Sequence, residues 1–220
     1  MTVERDLALA DRLGRLYTAV VSDCLDRVGI RNNVMAPRIR PLYPHAKLAG
    51  FAATVRCRSA ADVPERRADW YRGELEAVDA LRLADVMVVS TCDGCYWGEL
   101  LATASRYRGA RGIVADAQTR DTLALIEMQF PTFVAGISPQ DSLGRIEVEA
   151  AGVPVECGGV VVHPGDLLLA DHDGIVVVPA EAAGEVIALA EEKVSGENVV
   201  RDQLAAGMSV SEAFRTYGVI

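Results

Sequence analysis

The chain has 220 residues, a size typical of one domain with a sizeable core. Half of the residues are hydrophobic and 5% are aromatic, so we expect a core of Ala, Val, Leu and Ile, and general disorder is excluded. The formal net charge of −9 disfavours a nucleic-acid partner, because an acidic surface repels phosphate backbones.

The sequence contains no segment that would cross a membrane. Apolar stretches such as residues 174–180 are far shorter than the roughly 18 residues that a spanning helix needs. The N-terminal residues mix charged and apolar side chains, and they lack the apolar centre of a signal peptide. We therefore expect a cytoplasmic protein with no membrane partner.

The five cysteines are an odd number, which favours reduced thiols over a disulfide framework. Cys92 and Cys95 form a CxxC pair that could serve redox chemistry or supply half of a zinc site. No second CxxC is present, and the three histidines lie far away in the sequence. We interpret both thiols as small apolar side chains in a loop.

The N-terminal part of the chain predicts helices and one strand. Apolar residues at helical spacing between Leu9 and Val28 predict one or two amphipathic helices. Three prolines within residues 32–44 predict an extended connection. Residues 48–58 then predict a strand, and residues 70–83 predict a helix with an apolar face.

A βαβ-type unit is predicted over residues 85–121. The apolar run at 85–90 is typical of a strand buried on both faces, and a loop is expected at 91–97. Residues 98–107 predict a helix with an acidic residue in its first turn. Residues 112–115 predict the next strand, which the chain leaves at residue 116. Sites in such units lie on loops beyond the strand ends.

The C-terminal part predicts many short strands followed by helix. The strands are expected at residues 132–135, 145–149, 160–163, 167–169 and 175–178, with turns at 164–165 and 173–174. Helical patterning returns from residue 180. We therefore predict a mixed α/β fold with helices at both ends, forming a single domain over residues 1–220.

Two features between residues 98 and 121 could carry chemistry. A helix that begins at Gly98 presents unpaired backbone N–H groups, which suit a small carboxylate. Arg120 could grip a carboxylate or keto oxygen, and Asp121 could ligate a divalent cation. Adjacent strand residues face opposite sides, so both can face one site only where the backbone has left strand geometry. A solvated arginine beside a turn aspartate explains the same pair, and the pattern does not decide between the two.

Two long blocks carry a resemblance to a known family. GELLATASRYRGARGIVADAQTRDT, residues 98–122, resembles the signature of the RraA-like family, which includes 4-hydroxy-4-methyl-2-oxoglutarate aldolases and regulators of ribonuclease E activity. CGGVVVHPGDLLLADHDGIVVVP, residues 157–179, resembles a second block of that family in the same order. The resemblance implies a three-layer β/β/α domain of the swivelling type, with N- and C-terminal helices. It also implies a homotrimer or homohexamer with sites between protomers.

The resemblance assigns roles to individual residues. Asp121 would ligate Mg²⁺ or Mn²⁺, and Arg120 would bind the keto-acid end of the substrate. Glu197 is the nearest match to a glutamate that the family supplies from a neighbouring subunit, although a solvated helix face explains it equally well. A water oriented by Glu99 or Asp116 is the candidate base. The remaining substrate contacts would come from the helix start at Gly98, Glu99, Leu100 and Leu101.

The implied activity is that of a metal-dependent lyase. A class II aldolase would cleave 4-hydroxy-2-oxo dicarboxylic acids to pyruvate and would also decarboxylate oxaloacetate, because both reactions pass through the same enolate. Two alternatives remain: a non-catalytic regulator that binds a ribonuclease, and a sugar-acid hydratase or dehydratase that uses the same metal. Ala117 and Gln118 stand where relatives commonly have glycine and a small apolar residue, so the identity of the 2-oxo acid stays open.

Overall fold

A computed structural model describes residues 5–218 of the chain. Its helices are α1 (Leu7–Leu13), α2 (Thr18–Arg27), α3 (Arg72–Asp79), α4 (Glu99–Tyr107), α5 (Thr122–Met128), α6 (Ala183–Ala205) and α7 (Val210–Tyr217). Its strands are β1 (Arg40–Pro41), β2 (Leu48–Ser59), β3 (Asp85–Val89), β4 (Cys95–Trp97), β5 (Gly112–Thr119), β6 (Thr132–Ile137), β7 (Ile146–Ala151), β8 (Val155–Cys157), β9 (Val160–Val162), β10 (Leu167–Ala170) and β11 (Ile175–Val178).

Within the described residues, nine strands form one sheet in the order β1-β6-β5-β3-β2-β10-β11, with β4 beside β5 and β7 beside β2. The centre of the sheet is parallel, since β2, β3, β5 and β6 pair in the same direction. Strands β7, β10 and β11 are antiparallel to their neighbours. Strands β8 and β9 form a separate antiparallel pair.

Alternation along the central strands separates the protein into three layers. One face of the sheet packs against the β8–β9 pair, and its central side chains are Val86, Val88 and Val114. The opposite face packs against helices through Met87, Val89 and Ile113. Because successive strand residues point to opposite faces, a continuous apolar run buries both sides of the sheet. The predicted β/β/α layering is confirmed.

The helical ends of the chain pack together over β10 and β11. Helices α1, α2 and α6 share one core with Phe51, Leu167 and Leu169 of the sheet. None of the helices within residues 5–218 has the length and apolar character to span a bilayer. The predicted terminal helices are confirmed, while the single-domain prediction stays a prediction because its limits at residues 1 and 220 lie outside the described residues.

The central unit differs from the prediction in three respects. Strand β5 does not end at residue 115 but continues to Thr119, because a bulge between Ala115 and Gln118 bends the strand without ending it. The segment predicted as a loop contains strand β4, which pairs with the end of β5. Helix α5 was not predicted, because its seven residues are fewer than the window over which helical periodicity can be read.

The bulge in β5 carries a buried aspartate that joins the layers. Asp116 accepts hydrogen bonds from Arg38 Nε at 2.8 Å, Thr91 Oγ1 at 2.5 Å and Gly158 N at 3.1 Å. These donors come from the connection before β1, the loop after β3 and the turn of the β8–β9 pair. Burial raises the pKa of this carboxyl, but the hydrogen bonds from these three residues outweigh burial and lower the pKa below its ordinary value of 3.8. Asp116 therefore holds the strand that leads into the candidate site.

Replacing Asp116 should destabilise the fold. We expect Asp116→Asn to lower the free energy of unfolding in urea by about 2 kcal/mol, because the buried acceptor of these hydrogen bonds loses its charge. The pKa of Asp116 is lower in the folded protein than in the unfolded chain. The stabilisation from its carboxylate is therefore present above pH 3.8 and is lost as the pH falls through the pKa of the folded state. Asp79→Asn removes an exposed ion pair with Arg108 and should cost less than about 0.5 kcal/mol. Equal losses in the two variants would contradict the role of Asp116.

Candidate functional site

A cavity of about 240 Å³ opens at the ends of β4 and β5. Strands β4, β5 and β6 are parallel, so their carboxyl ends meet at one edge of the sheet, where ligands bind in open α/β sheets. One wall is apolar and includes Tyr96, Trp97 and Leu101. The other wall carries charged and polar side chains, namely Glu74, Arg120, Asp121, Asp141 and Ser142.

A left-handed turn brings Arg120 and Asp121 to this cavity together. Asp121 has φ of 55° and ψ of 35° and ends the extended backbone directly after β5. Arg120 N donates to Trp97 O at 2.9 Å, which keeps the chain paired up to the turn. Aspartate is among the few L-residues that tolerate this conformation. The requirement that the backbone leave strand geometry at this pair is therefore met.

The N-terminus of α4 lies against the same turn. Asp121 Oδ2 accepts a hydrogen bond from Glu99 N at 3.2 Å, so the Asp121 carboxylate caps the N-terminus of α4. Gly98 permits this approach, because a Cβ at that position would stand 2.7 Å from Asp121 Oδ2 and 3.3 Å from Arg120 Cγ. Any side chain at residue 98 would displace both groups from their present positions.

Arg120 is oriented by a second carboxylate. Its Nη1 lies 3.2 Å from Asp141 Oδ1, and its Nε lies 3.8 Å from Asp121 Oδ2. Asp141 also accepts a hydrogen bond from the Tyr71 hydroxyl, and this bond raises the pKa of the Tyr71 phenol. Neither Tyr71 nor Asp141 was predicted from the sequence. Asp141 lies in a Ser-Pro-Gln-Asp-Ser segment that only indicates a turn.

Glu74 of α3 is a third cavity residue that was not predicted from the sequence. Its side chain is buried, with 6% of the residue exposed, and it lines the cavity. Burial raises the pKa of this carboxyl to about 7, while the Ser142 hydroxyl and Arg120 lower it. Glu74 lies on the buried face of α3 with Ala77 and Val78. An acidic residue at a core-facing helical position is the signal that could have identified it.

The structure brings most of the predicted site residues to one place. Gly98, Leu100, Leu101, Arg120 and Asp121 all line the cavity. Glu99 begins α4, but its Oε1 accepts from Thr103 Oγ1 at 3.2 Å along the same helix.

The other two predicted acids have partners elsewhere in the chain. Glu197 lies on α6, where it accepts from the Tyr17 hydroxyl and stands 3.7 Å from Lys193 Nζ. The carboxylate of Asp116 is engaged by the donors described above, and Asp116 is not part of the cavity lining. The roles predicted for Glu197 and Glu99 stay predictions.

The cavity suits a hard divalent cation that keeps water or substrate as most of its ligands. Three carboxylates, those of Glu74, Asp121 and Asp141, face a single guanidinium, so a divalent cation would reduce the excess of negative charge. Within residues 5–218, no group of three or more His, Cys, Asp or Glu side chains is placed to hold a metal. Mg²⁺ is commonly bound by one or two carboxylates, so Asp121 alone fits such an ion and does not fit zinc.

The chain is similar to proteins of one family along most of its length. The family described as RraA-like: Aldolase/RraA matches residues 18–177. A relative from Halalkalibacterium halodurans, which carries the provisional name 4-hydroxy-4-methyl-2-oxoglutarate aldolase, is 30% identical over 80% of this chain and 79% of its own length. Protein DlpA of Legionella pneumophila is 24% identical over 95% of this chain. The chain spans only 34% of the length of DlpA.

A solved structure shares the fold. Streptomyces coelicolor RraAS2, described as an unusual member of the RNase ES inhibitor RraA protein family, superposes with a TM-score of 0.79. It is 30% identical, and the superposition covers 91% of this chain and all of that chain. The predicted resemblance and fold class are both confirmed.

The buried carboxyl of Glu74 should make stability depend on pH. Its pKa rises from 4.5 to about 7 on folding, so the stabilisation from its protonated form is complete below 4.5 and is lost as the pH rises through 7. We expect Glu74→Gln to become more stable than the unmodified chain between pH 4.5 and 8, by up to about 3 kcal/mol. Urea denaturation at several pH values measures this difference.

The matched control is Glu76→Gln, an exposed position on the same helix. It should change the unfolding free energy by less than about 0.5 kcal/mol at every pH. A Glu74→Gln curve parallel to that of the unmodified chain would contradict the raised pKa.

Proposed function

Because the chain belongs to the RraA-like family, we propose that it is a divalent-metal-dependent lyase that releases pyruvate from 4-hydroxy-2-oxo dicarboxylic acids of the 4-hydroxy-4-methyl-2-oxoglutarate type. Decarboxylation of oxaloacetate is its expected companion activity. The observation that carries the proposal is the turn at Asp121, which directs Arg120 and Asp121 into one cavity beside the N-terminus of α4. The provisional name of the Halalkalibacterium halodurans relative supports the same chemistry.

The substrate's 2-oxo acid end matches the polar wall of the cavity. Arg120 offers a planar set of donors to a carboxylate or keto oxygen. The first turn of α4 adds backbone N–H groups at Leu100 and Leu101, which favour an anion through their dipoles. Negative charge grows on the C2 oxygen when the C3–C4 bond breaks, and Arg120 would stabilise that charge.

Mg²⁺ or Mn²⁺ is the cofactor that the site would take. Asp121 would hold the ion, and when bound the ion would supply Lewis-acid stabilisation of the enolate charge. The apolar wall serves a different purpose. Tyr96 and Trp97 are 2% and 1% exposed, so they limit water at the reacting carbon atoms and strengthen the electrostatic contacts there.

Assembly and location belong to the same proposal. We propose a homotrimer or homohexamer with sites between protomers, because large apolar side chains are exposed, namely Leu100 of the cavity lining, Leu123 of α5 and Ile137 of β6. In such an assembly Glu197 of one copy could reach the site of the next. All five cysteines are free thiols, which suits the proposed cytoplasmic location.

A second candidate function comes from the description of RraAS2. That protein belongs to an RNase ES inhibitor family, and a regulator of this kind would bind a ribonuclease without turning over a 2-oxo acid. A metal-dependent hydratase or dehydratase acting on sugar acids is the third candidate. Neither of these two functions would release pyruvate, so pyruvate formation separates them from the proposed lyase.

A coupled pyruvate assay with and without Mg²⁺ tests the proposal. We expect the unmodified chain to release pyruvate from 4-hydroxy-4-methyl-2-oxoglutarate and from oxaloacetate, and EDTA to abolish both activities. Asp121→Asn should lose at least about 100-fold in kcat/KM, since several kcal/mol of charge stabilisation depend on the ion. Asparagine tolerates the left-handed conformation, so the turn is preserved.

Asp173→Asn, an exposed turn position outside the cavity, is the control and should keep full activity. Absence of pyruvate from both substrates would overturn the lyase function. Full, EDTA-sensitive activity in Asp121→Asn would overturn only the assignment of the metal ligand.

A further inference from the structure

The reaction proposed above needs a proton carrier, and Glu74 is the cavity residue best suited to that role. Cleavage of a 4-hydroxy-2-oxo acid removes the proton of the C4 hydroxyl group, and pyruvate forms only when C3 gains a proton. A side chain at the site must therefore accept one proton and return one. Of the three cavity carboxylates, Asp121 caps α4 and Asp141 binds both Arg120 and Tyr71. Glu74 has the Ser142 hydroxyl as its hydrogen-bond partner, and among residues 5–218 it caps no helix and forms no salt bridge.

The packing of α3 on β7 positions Glu74 at the cavity. Tyr71, which precedes α3, adopts a left-handed conformation with φ of 55°. Gly73 lets α3 pack closely on β7, because a Cβ there would stand 2.5 Å from Val148 Cβ. Glu74 follows directly and lines the cavity from the buried face of α3. A carboxyl group held in this way is preorganised for proton transfer.

The surroundings of Glu74 allow both of its protonation states near neutral pH. Burial raises the pKa of its carboxyl to about 7, opposed by the Ser142 hydroxyl and Arg120. A general acid or base works best when its pKa lies close to the working pH. Six titratable or charged groups interact electrostatically with Glu74, namely Cys57, Tyr71, Cys92, Tyr96, Arg120 and Asp141.

We propose that Glu74 is the catalytic base and acid of the lyase reaction, which makes this inference rest on the proposed function. Its carboxylate takes the proton of the C4 hydroxyl while the C3–C4 bond breaks. The O–H electron pair becomes the second bond of the new C4 carbonyl, and the C3–C4 electron pair becomes the enolate of pyruvate. Glu74 then gives the same proton to C3, so that one carbonyl product and one pyruvate leave and the carboxylate is restored.

Oxaloacetate provides an internal control for this role. Loss of CO₂ from oxaloacetate forms the same enolate, but no hydroxyl proton has to be removed before the carbon–carbon bond breaks. The enolate can then take its proton from water. Removing the base should therefore damage aldol cleavage far more than decarboxylation. A merely structural role of Glu74 would lower both activities together.

The experiment compares Glu74→Gln, Glu74→Asp and the control Glu76→Gln in the Mg²⁺-loaded protein, with 4-hydroxy-4-methyl-2-oxoglutarate and with oxaloacetate. We expect Glu74→Gln to lower kcat for aldol cleavage at least about 100-fold and kcat for decarboxylation less than about fivefold. In the unmodified chain, kcat/KM for aldol cleavage should fall as the pH drops below about 7, and this fall should be absent from Glu74→Gln. Glu74→Asp should recover part of the aldol rate, and Glu76→Gln should retain both activities.

Other outcomes overturn the inference in distinguishable ways. Parallel loss of both activities in Glu74→Gln, or full retention of aldol cleavage, overturns the role of Glu74 and leaves the lyase function intact. Decarboxylation without any aldol cleavage by the unmodified chain overturns the base role, because no hydroxyl proton is then transferred. If the unmodified chain releases no pyruvate from either substrate, the proposed function and this inference both fail.

Discussion

The candidate site depends on the left-handed turn at Asp121, where the chain leaves β5 and enters α5. In a continued strand, Arg120 and Asp121 would point to opposite faces of the sheet. The positive φ at Asp121 instead places a guanidinium and a carboxylate at one cavity, and it lets the carboxylate cap α4. Gly98 is the complementary requirement, because its missing side chain leaves the space that Asp121 and Arg120 occupy.

The turn also determines which charges meet inside the cavity. The protein as a whole carries a net charge of −9, yet the proposed substrate is an anion. The three acidic side chains of the cavity differ: Asp121 caps α4 and is the proposed cation ligand, Asp141 binds Arg120, and burial raises the pKa of Glu74 to about 7. A divalent cation, the guanidinium and the start of α4 would provide the local positive potential that an acidic surface lacks.

Much of the architecture could be predicted from the sequence, because continuous apolar runs indicate strands buried on both faces and apolar residues at helical spacing indicate amphipathic helices. The continuation of β5 through Asp116 and Gln118 could not be predicted, since a bulge and a buried aspartate break the apolar pattern while the strand persists.

The candidate site, like the fold, could be predicted from the sequence only in part. Gly98, Arg120 and Asp121 were identified from contiguous motifs, and the structure brings them together. Tyr71, Glu74 and Asp141 come from other parts of the chain, and only the packing of α3 and the loop before β7 brings them to the same cavity. Glu74 stands out as an acid on an apolar helical face, whereas nothing local to Asp141 indicates that it binds Arg120.

Crystallography with Mn²⁺ and oxalate, a planar dianion that resembles the pyruvate enolate, tests most directly whether the turn at Asp121 forms a metal-assisted keto-acid site. We expect an anomalous peak for Mn²⁺ within bonding distance of the Asp121 carboxylate, with oxalate between the ion and Arg120. A Mn²⁺ peak at other residues, or oxalate bound away from Arg120, would contradict this assignment.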